Sequence, residues 1–263
     1  MEKPRVLIGC PTYTGMKYCI ERVLNRLREL DYPNYDILVA ENSEDDDFFE
    51  ELKKEDRIIL TKIDAKGKKP MAKLIMSRNK IIEYALENEY DYVLMSDSDI
   101  VPPKDIIEEL VNCEKDIVSA LYYNYYVSSG KTKVLPVGWI RITEEEFEEM
   151  KQQAKFPDSV KSHKDLRRHV TWDEARSNEL IEVLIPAAGC MLLSRKVFEK
   201  IRYNLLDMKK LKVNAETSED VYFSLKAEEL GFKQYCYTKV KCDHLVSGKF
   251  KKDSDGRLRH PLY

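Results

Sequence analysis

Short apolar runs alternate with longer amphipathic segments along the first half of the chain. Each run is rich in Val, Ile, Leu or Tyr and leads into a polar loop followed by a segment with helical periodicity. This alternation is typical of βαβ units, whose strands form a largely parallel sheet. The predicted strands are Arg5–Cys10, Tyr35–Ala40, Arg57–Ile63, Tyr92–Ser96 and Asp116–Tyr122.

The second half is less regular. Residues 128–180 contain an apolar run at 133–143, an acidic helical segment at 144–155 and a long polar stretch, which together predict an insertion within the domain. Because no repeat or low-complexity tract divides the chain, one domain over residues 1–263 is predicted, in parts 1–127, 128–180 and 181–263. The remaining predicted elements are strands at 180–186, 189–194 and 233–240 and helices at Arg195–Leu206 and Ser218–Leu230.

The segment MAKLIMSRNKIIEYALEN, residues 71–88, carries an apolar stripe at the helical period of 3.6 residues. Arg78 falls within this stripe. A guanidinium keeps its proton, so an inward-facing Arg78 requires an anion beside it. Two interpretations follow: an Arg whose charged end reaches solvent at the margin of the stripe, or an Arg that holds a carboxylate or phosphate.

Polar residues follow three of the predicted strands at their carboxyl ends. In open α/β sheets the ligand crevice lies outside these ends. Segments that are distant in sequence are therefore expected to meet at one edge of the sheet. They are Pro11-Thr12-Tyr13, Glu41-Asn42-Ser43 and Asp97-Ser98-Asp99.

The last of these segments lies within YVLMSDSDIVPPKD, where two carboxylates follow a buried strand. In an extended segment Asp97 and Asp99 point the same way while Ser98 faces away. Carboxylates suit Mg²⁺ or Mn²⁺, which bind one or two of them together with substrate phosphates. The alternative is a polar strand end before a helix that begins near Asp105. A calcium-binding EF-hand loop is excluded, because Val101 and Pro102 occupy ligand and turn positions.

The run DSDIV also resembles the nucleophile motif of haloacid-dehalogenase-type phosphatases, in which the first Asp, here Asp97, attacks phosphate. In those enzymes the motif usually ends the first strand of the core. Here about 90 residues of predicted βαβ structure precede it. The position of the motif therefore disfavours a phosphatase.

A second acidic site, Glu219 and Asp220, lies in the first turn of a predicted helix, after Ser218 and with Gly231 as its end. Acidic side chains in the first turn of a helix stabilise it through the helix dipole, so these two acids could have a purely structural role. For an adjacent pair in a chain with a metal-type acidic site, a catalytic base is a competing interpretation.

The end of the chain carries His244 and several cations, in a segment whose glycines and serines predict a mobile tail. His244 is either an ordinary surface histidine or a ligand of a metal such as Mn²⁺. The cations are either solvated or hold a diphosphate. They are Lys249, Lys251, Lys252 and Arg257.

Composition restricts the partners. The net charge of −3 carries no basic excess that would recruit nucleic acid. Six cysteines without a CxxC pair predict reduced, mostly buried thiols in a cytoplasmic protein, and zinc is not assigned.

The start lacks the apolar core of a signal peptide. The longest uncharged run, residues 183–194, is too short to span a membrane, although peripheral membrane contact stays open.

Several motifs in order give the chain a family resemblance. It resembles a family-two glycosyltransferase of the GT-A fold, in which a metal-binding DxD motif follows a nucleotide-binding βαβ region. The resemblance spans nearly the whole chain except residues 128–180. It rests on VLIGCPTY, LVAENSEDD, SRNKIIEYAL, YDYVLMSDSDIVPP, AAGCMLLSRKVFEKI, SEDVYFSLKAEELGFK and CDHL.

The resemblance implies a Rossmann-related, three-layer α/β/α sandwich with a mixed, mostly parallel sheet. Residues 1–127 would bind the nucleotide and 181–263 would supply catalysis and acceptor contacts. Asp99 would ligate the metal, Mn²⁺ or Mg²⁺, with Asp97 and His244, and Asp220, paired with Glu219, would be the base. The implied nucleotide-binding residues are Pro11, Thr12, Tyr13, Glu41, Ser43, Arg78, Asp97 and Ser98.

The implied activity is metal-dependent, inverting transfer of a sugar from a nucleotide-diphosphate donor to an acceptor hydroxyl of a glycan, lipid or protein. The segment ENS departs from the commoner Asp-rich pattern, so a UDP-sugar and a GDP-sugar both stay open. The competing functions are a phosphatase with Asp97 as nucleophile and a nucleotide-sugar-binding protein without catalysis.

Overall fold

The computed structural model shows a central sheet between two layers of helices. We describe residues 3–128, 131–158, 160–206, 218–246, 251–252 and 258–259. The predicted tail cations Lys249 and Arg257 lie outside these ranges, and the side chains of Lys251 and Lys252 are not described. Within the described residues, no helix is both long and apolar enough to cross a membrane.

The strands and helices are numbered in chain order. The strands are β1 (Val6–Thr12), β2 (Tyr35–Glu41), β3 (Ile59–Lys62), β4 (Tyr92–Ser96), β5 (Ile100–Val101), β6 (Ile117–Leu121), β7 (Tyr123–Ser128), β8 (Lys131–Pro136), β9 (Trp139–Arg141), β10 (Arg167–His169), β11 (Leu180–Val183), β12 (Cys190–Ser194), β13 (Gln234–Lys241), β14 (Asp243–His244), β15 (Lys251–Lys252) and β16 (Leu258–Arg259). The helices are α1 (Ile20–Arg28), α2 (Asp47–Leu52), α3 (Pro70–Glu87), α4 (Ile106–Val111), α5 (Glu144–Gln153), α6 (Trp172–Arg176), α7 (Arg195–Phe198) and α8 (Glu219–Glu229). Short 3-10 turns cover Thr14–Met16 and His163–Asp165.

Eight strands form the central sheet in the order β11-β13-β6-β12-β4-β1-β2-β3. The pairs β4-β1, β1-β2, β2-β3 and β13-β6 are parallel, whereas β12 runs antiparallel to both of its neighbours and β11 runs antiparallel to β13. Every residue of β1 is buried, as expected for a strand covered on both faces. The predicted mixed, mostly parallel α/β sheet is confirmed.

Alternating residues of the strands feed two separate cores. Val6 and Ile8 of β1 pack with the apolar faces of α1 and α4 on one side of the sheet. Leu7 packs with α3, α7 and α8 on the other side. Since side chains alternate across a strand, a single apolar run serves both helical layers. The result is the predicted three-layer arrangement.

Two element predictions were wrong in extent. The helix expected over Arg195–Leu206 ends after one turn, because the chain beyond it extends toward α3. There the backbone N–H of Tyr203 donates to Asn79 Oδ1 at 2.8 Å, and Asn79 Nδ2 donates to the Tyr203 carbonyl at 2.9 Å. The strand expected over 133–143 breaks into β8 and β9 at Gly138, whose φ of 141° is accessible mainly to glycine.

The insertion, residues 128–180, is built on a hairpin and a small second strand pair. Strand β7 pairs antiparallel with β8, and β9 pairs with β10. A hydrogen bond from the Trp139 N–H to the Ile185 carbonyl, 2.9 Å long, ties β9 to the second half of the chain. The insertion therefore contacts the segment between β11 and β12.

Candidate active site at the carboxyl edge of the sheet

A cleft of about 650 Å³ opens at the carboxyl ends of β1, β2 and β4. It brings together seven of the residues proposed for nucleotide or metal binding. They are Pro11, Thr12, Tyr13, Ser43, Asp97, Ser98 and Asp99. The rest of its lining comes from the start of α3 and from the loops after β1 and β2, including Asn42, Glu44, Lys68 and Lys73.

The register of the parallel strands explains this convergence. Thr12 at the end of β1 lies opposite Glu41 at the end of β2, and the Asn42 N–H donates to the Thr12 carbonyl at 3.0 Å. The backbone N–H of Thr14 then donates to Ser43 Oγ at 2.7 Å. The loops after both strands are thereby held against each other at the mouth of the cleft.

Glu41 lies beneath the cleft and is absent from its lining. It is fully buried, with its carboxylate accepting hydrogen bonds from the Ser43 N–H at 2.7 Å and from Lys62 Nζ at 2.8 Å. These contacts hold the loop that carries Ser43. The structure therefore places Glu41 behind the surface of the cleft, where it supports Ser43.

The segment after β4 is a turn, and the extended geometry assumed from the sequence was wrong. The Ile100 N–H donates to the Asp97 carbonyl at 3.0 Å, which closes the turn over residues 97–100. Ser98, expected to face away, is buried and lines the cleft with the two acids. Asp97 and Asp99 consequently have different partners.

Arg78 supplies the partner of Asp97. Its side chain is 2% exposed, and Nη2 donates to Asp97 Oδ1 at 2.7 Å. Nη1 donates to the Ala188 carbonyl at 3.4 Å. Of the two interpretations of Arg78, the inward-facing one is confirmed. The side chain of Asp97 is 31% exposed. Burial raises the pKa of its carboxyl group to about 6, although the positive charge of Arg78 acts to lower that pKa.

His244 supplies the partner of Asp99. Nε2 of His244 lies 3.4 Å from Asp99 Oδ2, and Nδ1 lies 2.9 Å from the carbonyl oxygen of Tyr123. Because a carbonyl only accepts, Nδ1 carries the proton and Nε2 presents its lone pair to the carboxylate in the neutral ring. Burial lowers the pKa of His244, but Asp99 outweighs that effect and the pKa is raised.

Asp99 and His244 have the chemistry of two ligands of a divalent cation. Two adjacent ligands of one octahedral Mg²⁺ or Mn²⁺ lie about 3 Å apart, and Asp99 Oδ2 and His244 Nε2 lie slightly farther apart, at 3.4 Å. In the described parts of the chain no group of three or more His, Cys, Asp or Glu side chains is placed to hold a metal. A cation held by Asp99 and His244 would therefore need further ligands from a bound molecule or from water.

The acidic pair at the start of α8 is split by the fold. Glu219 is buried, with Oε1 3.2 Å from Arg78 Nε. Asp220 is half-buried, and its Oδ1 accepts from the Ser218 hydroxyl and, at 2.7 Å, from the Val221 N–H. The charge of Asp220 contributes, after burial, to raised pKa values of Tyr122 and Tyr126. Asp220 therefore lies in the same cluster as Arg78 and Asp97.

Two residues of this cluster were missed from the sequence. The buried Tyr122 accepts a hydrogen bond from the Gly189 N–H at 3.1 Å and packs edge-on against His244 with ring centroids 5.2 Å apart. The Asp97 N–H donates to the Gly189 carbonyl at 2.8 Å. The small residues of PAAGC were the available signal, because close approach of backbone to neighbouring groups favours glycine.

Gly189→Ala is expected both to disturb the site and to destabilise the fold. An added Cβ would lie 2.8 Å from Tyr122 Oη and 3.0 Å from Asp97 Oδ2, so both groups must shift, at a cost of about 1–3 kcal/mol in the free energy of unfolding. We expect nucleotide affinity in Mn²⁺, measured by calorimetry, to fall about tenfold as Asp97 moves.

Gly231→Ala is the matched control for this variant. Gly231 has a φ of 80° and no atom within 4 Å of an added Cβ. The substitution should cost about 1–2 kcal/mol of stability and leave nucleotide affinity unchanged. Equal affinities in the two variants would contradict the close packing of Gly189 against Asp97.

Comparisons with known proteins agree with this fold. The Anp1 family model matches residues 61–139, which is less than half of the chain. No curated protein sequence matches the chain. The mannosyltransferase PcManGT from Pyrobaculum calidifontis, solved in complex with GDP-Man and Mn²⁺, is 16% identical with a TM-score of 0.52, over 94% of this chain and 59% of that protein.

Two further solved structures have lower TM-scores. S. aureus TarS 1-349 in complex with UDP-GlcNAc is 14% identical with a TM-score of 0.48, over 96% of this chain and 60% of that one. A197 from STIV is 18% identical with a TM-score of 0.47, over 97% and 92%. The chain thus spans about three fifths of the length of TarS and PcManGT. The likeness to PcManGT shows a shared fold.

Proposed function

We propose that this protein is a metal-dependent glycosyltransferase that moves a sugar from a nucleotide-diphosphate donor to an acceptor hydroxyl. One observation carries the proposal: a cleft of nucleotide size ends at the Asp99 and His244 pair, with a second carboxylate, Asp220, in the adjoining cluster. Anp1 is a family of mannosyltransferase domains, and PcManGT shares the fold. Both likenesses support transfer from a nucleotide sugar.

The donor would occupy the cleft between the β1 and β2 loops on one side and α3 on the other. Thr12 Oγ1 is buried without a hydrogen-bond partner and belongs to the cleft lining, so it is available to a polar atom of the nucleoside. Asn42 Nδ2 already donates a hydrogen bond to Ser77 Oγ at 2.9 Å, and this bond fixes the orientation of the Asn42 side-chain amide. These groups would set the contacts to a UDP- or GDP-sugar.

The diphosphate would lie against Asp97, Asp99 and His244. A bound Mn²⁺ or Mg²⁺ supplies charge stabilisation for the departing nucleoside diphosphate. Asp99 and His244 would hold it, with His244 kept in the required tautomer by the Tyr123 carbonyl. Arg78 keeps Asp97 at the floor of the cleft and offsets the negative charge that the acids and phosphates bring together.

The acceptor would approach from the side of α8 and the insertion. Asp220 would remove the proton from the acceptor hydroxyl as it attacks the sugar, and we propose an inverting outcome with this single base. Burial and the nearby charge of Asp220 raise the pKa of Tyr126. The Tyr126 ring packs edge-on against His169. Their rings would border the acceptor, whether glycan, lipid or protein.

A screen of nucleoside diphosphates by thermal shift, with and without Mn²⁺, tests the donor site. A nucleotide at 100 times its Kd stabilises the folded state by about 2.7 kcal/mol, which corresponds to roughly 5–10 °C in Tm for a chain of this size. We expect one of UDP and GDP to give this shift only with Mn²⁺, and its sugar conjugates to release nucleoside diphosphate slowly into water.

The competing functions give different results in the same screen. A phosphatase with Asp97 as nucleophile would cleave a simple phosphomonoester and leave a trappable aspartyl-phosphate; the bond from Arg78 to Asp97 Oδ1 and the position of β4 behind three βα units disfavour it. A binding protein without catalysis would show the thermal shift but no turnover. No shift with any nucleotide would contradict the proposed function.

A further inference from the structure

Arg78 is a buried cation held between two carboxylates, Asp97 and Glu219, that lie far apart in the sequence. Nη2 bonds Asp97 after β4, and Nε lies 3.2 Å from Glu219 Oε1 at the start of α8. The side chains of Arg78 and Glu219 are 2% and 5% exposed. A cation and an anion removed from water to this degree depend on each other. The pair therefore ties the start of α8 to the floor of the cleft.

The first turn of α8 has few other attachments among the described residues. Ser218 occupies the N-cap position, but its hydroxyl bonds Asp220 and makes no capping hydrogen bond. The body of the helix is held farther along, by Phe223 in the core and by the bond from Gln234 Nε2 to the Ser224 carbonyl at 3.0 Å. The contact between Glu219 and Arg78 is thus the polar attachment closest to Asp220.

We propose that Glu219 is a positioning residue that acts through Arg78. The carboxylate of Glu219 is 5% exposed and lies 3.2 Å from Arg78 Nε, so it does not serve as the base itself. By holding the first turn of α8 against Arg78, it sets the distance between Asp220 and the donor side of the site. The inference rests on the proposed function, because Asp220 acts as a base only in that reaction.

The shared cation offsets the charge of two carboxylates that belong to different acidic sites. Arg78 contacts Asp97 on the proposed donor side and Glu219 on the proposed acceptor side. A single guanidinium therefore fixes the position of one carboxylate relative to the other. Nη2 donates a hydrogen bond to Asp97, whereas Nε faces Glu219 as an ion pair without a hydrogen bond. A planar guanidinium spreads its charge over three nitrogens and can face both acids, whereas an ammonium presents one point charge. Arg78 thereby connects the segment after β4 to the start of α8.

Glu219→Gln tests the proposal against Glu228→Gln. Glu228 is on the same helix and is also paired with an arginine, Arg141, at 2.8 Å, but that pair lies at the far, exposed end of α8. Donor turnover is measured as nucleoside diphosphate released with water as acceptor, and nucleotide affinity in Mn²⁺ by calorimetry. Because a misplacement of 1 Å can cost about 100-fold in rate, we expect kcat of Glu219→Gln to fall by about that factor. KM and affinity should stay within about threefold of the unchanged protein.

Hydrogen exchange gives a readout that does not depend on turnover. The backbone amides of residues 222–226 close the first turns of α8. In Glu219→Gln they should exchange at least about tenfold faster, because the first turn opens more often, whereas in Glu228→Gln they should stay as they are. If Glu219→Gln fails to fold, the same two quantities, kcat and hydrogen exchange, are measured in Glu219→Asp. That variant keeps the charge on a shorter side chain.

The outcomes separate this inference from the proposed function. If the unchanged protein turns over a donor and Glu219→Gln matches Glu228→Gln in kcat and exchange, the positioning role is overturned. A parallel loss of nucleotide affinity and kcat would also overturn it, since Glu219 would then act on the donor side. If no donor is bound or turned over by the unchanged protein, the proposed function fails, and exchange still shows whether Glu219 holds the helix.

Discussion

Asp99→Ala should abolish the metal-dependent part of nucleotide binding. Asp99 and His244 are the two groups that we propose as ligands of the cation, and within the described chain no third side chain joins them as a ligand cluster. With one protein ligand left, Mn²⁺ would be held almost entirely by the diphosphate. Since even a supporting residue of a metal site is worth about 10–100-fold in affinity, we expect a loss at the upper end of that range or beyond it.

Calorimetric titration with the nucleotide selected by the thermal screen, with and without Mn²⁺, measures this effect. Asp243→Ala is the matched control: Asp243 precedes His244 in β14, its side chain is 72% exposed, and it pairs with Arg22 at 3.4 Å. An exposed pair of this kind contributes about 0–1 kcal/mol, so metal-dependent binding should persist. Unchanged Mn²⁺ dependence in Asp99→Ala would remove Asp99 from the metal site.

Asp220→Asn should keep donor binding and lose turnover. The amide preserves the size of the side chain and its contact with the Ser218 hydroxyl, but it cannot accept the proton of an acceptor. General-base catalysis typically contributes about 10²–10⁴-fold, and we expect kcat to fall by a factor in this range while KM for the donor changes little. Initial rates over a series of donor concentrations separate the two quantities.

The control for Asp220→Asn must carry the same change in helix electrostatics. Asp173 is an exposed acid in the first turn of α6, where it likewise complements the helix dipole. Asp173→Asn should have full activity. Full activity in Asp220→Asn would rule out this residue as the base and return the acidic pair of α8 to a purely structural role.

The predicted elements that held were those in which a single local signal dominated. Strand β4 was predicted at its observed bounds, Tyr92–Ser96, because a continuous apolar run matches a strand buried on both faces. Gly231 ends α8 with a φ of 80°, as a glycine after a helix suggests. The helix after β12 was overextended because the competing bonds of Tyr203 to Asn79 join residues 124 positions apart.

The sequence alone also determined which segments meet in the site. Parallel strands bring their carboxyl ends to one edge, so residues 11–13, 41–43 and 97–99 were expected together from strand order alone. Their convergence therefore needed no knowledge of side-chain contacts. The roles assigned to these residues stay predictions.

Tertiary structure alone decided what each charged side chain faces. Neighbouring helical residues point about 100° apart, so the sequence could not assign different contacts to Glu219 and Asp220. The packing of α8 turned Glu219 onto Arg78 and left Asp220 half-buried, with its carboxylate accepting from the Ser218 hydroxyl. The same holds for Asp97 and Asp99, which a turn directs to Arg78 and to His244. Periodicity along a chain states which residues share a face, but the burial of one charge against another depends on elements brought together by the whole fold.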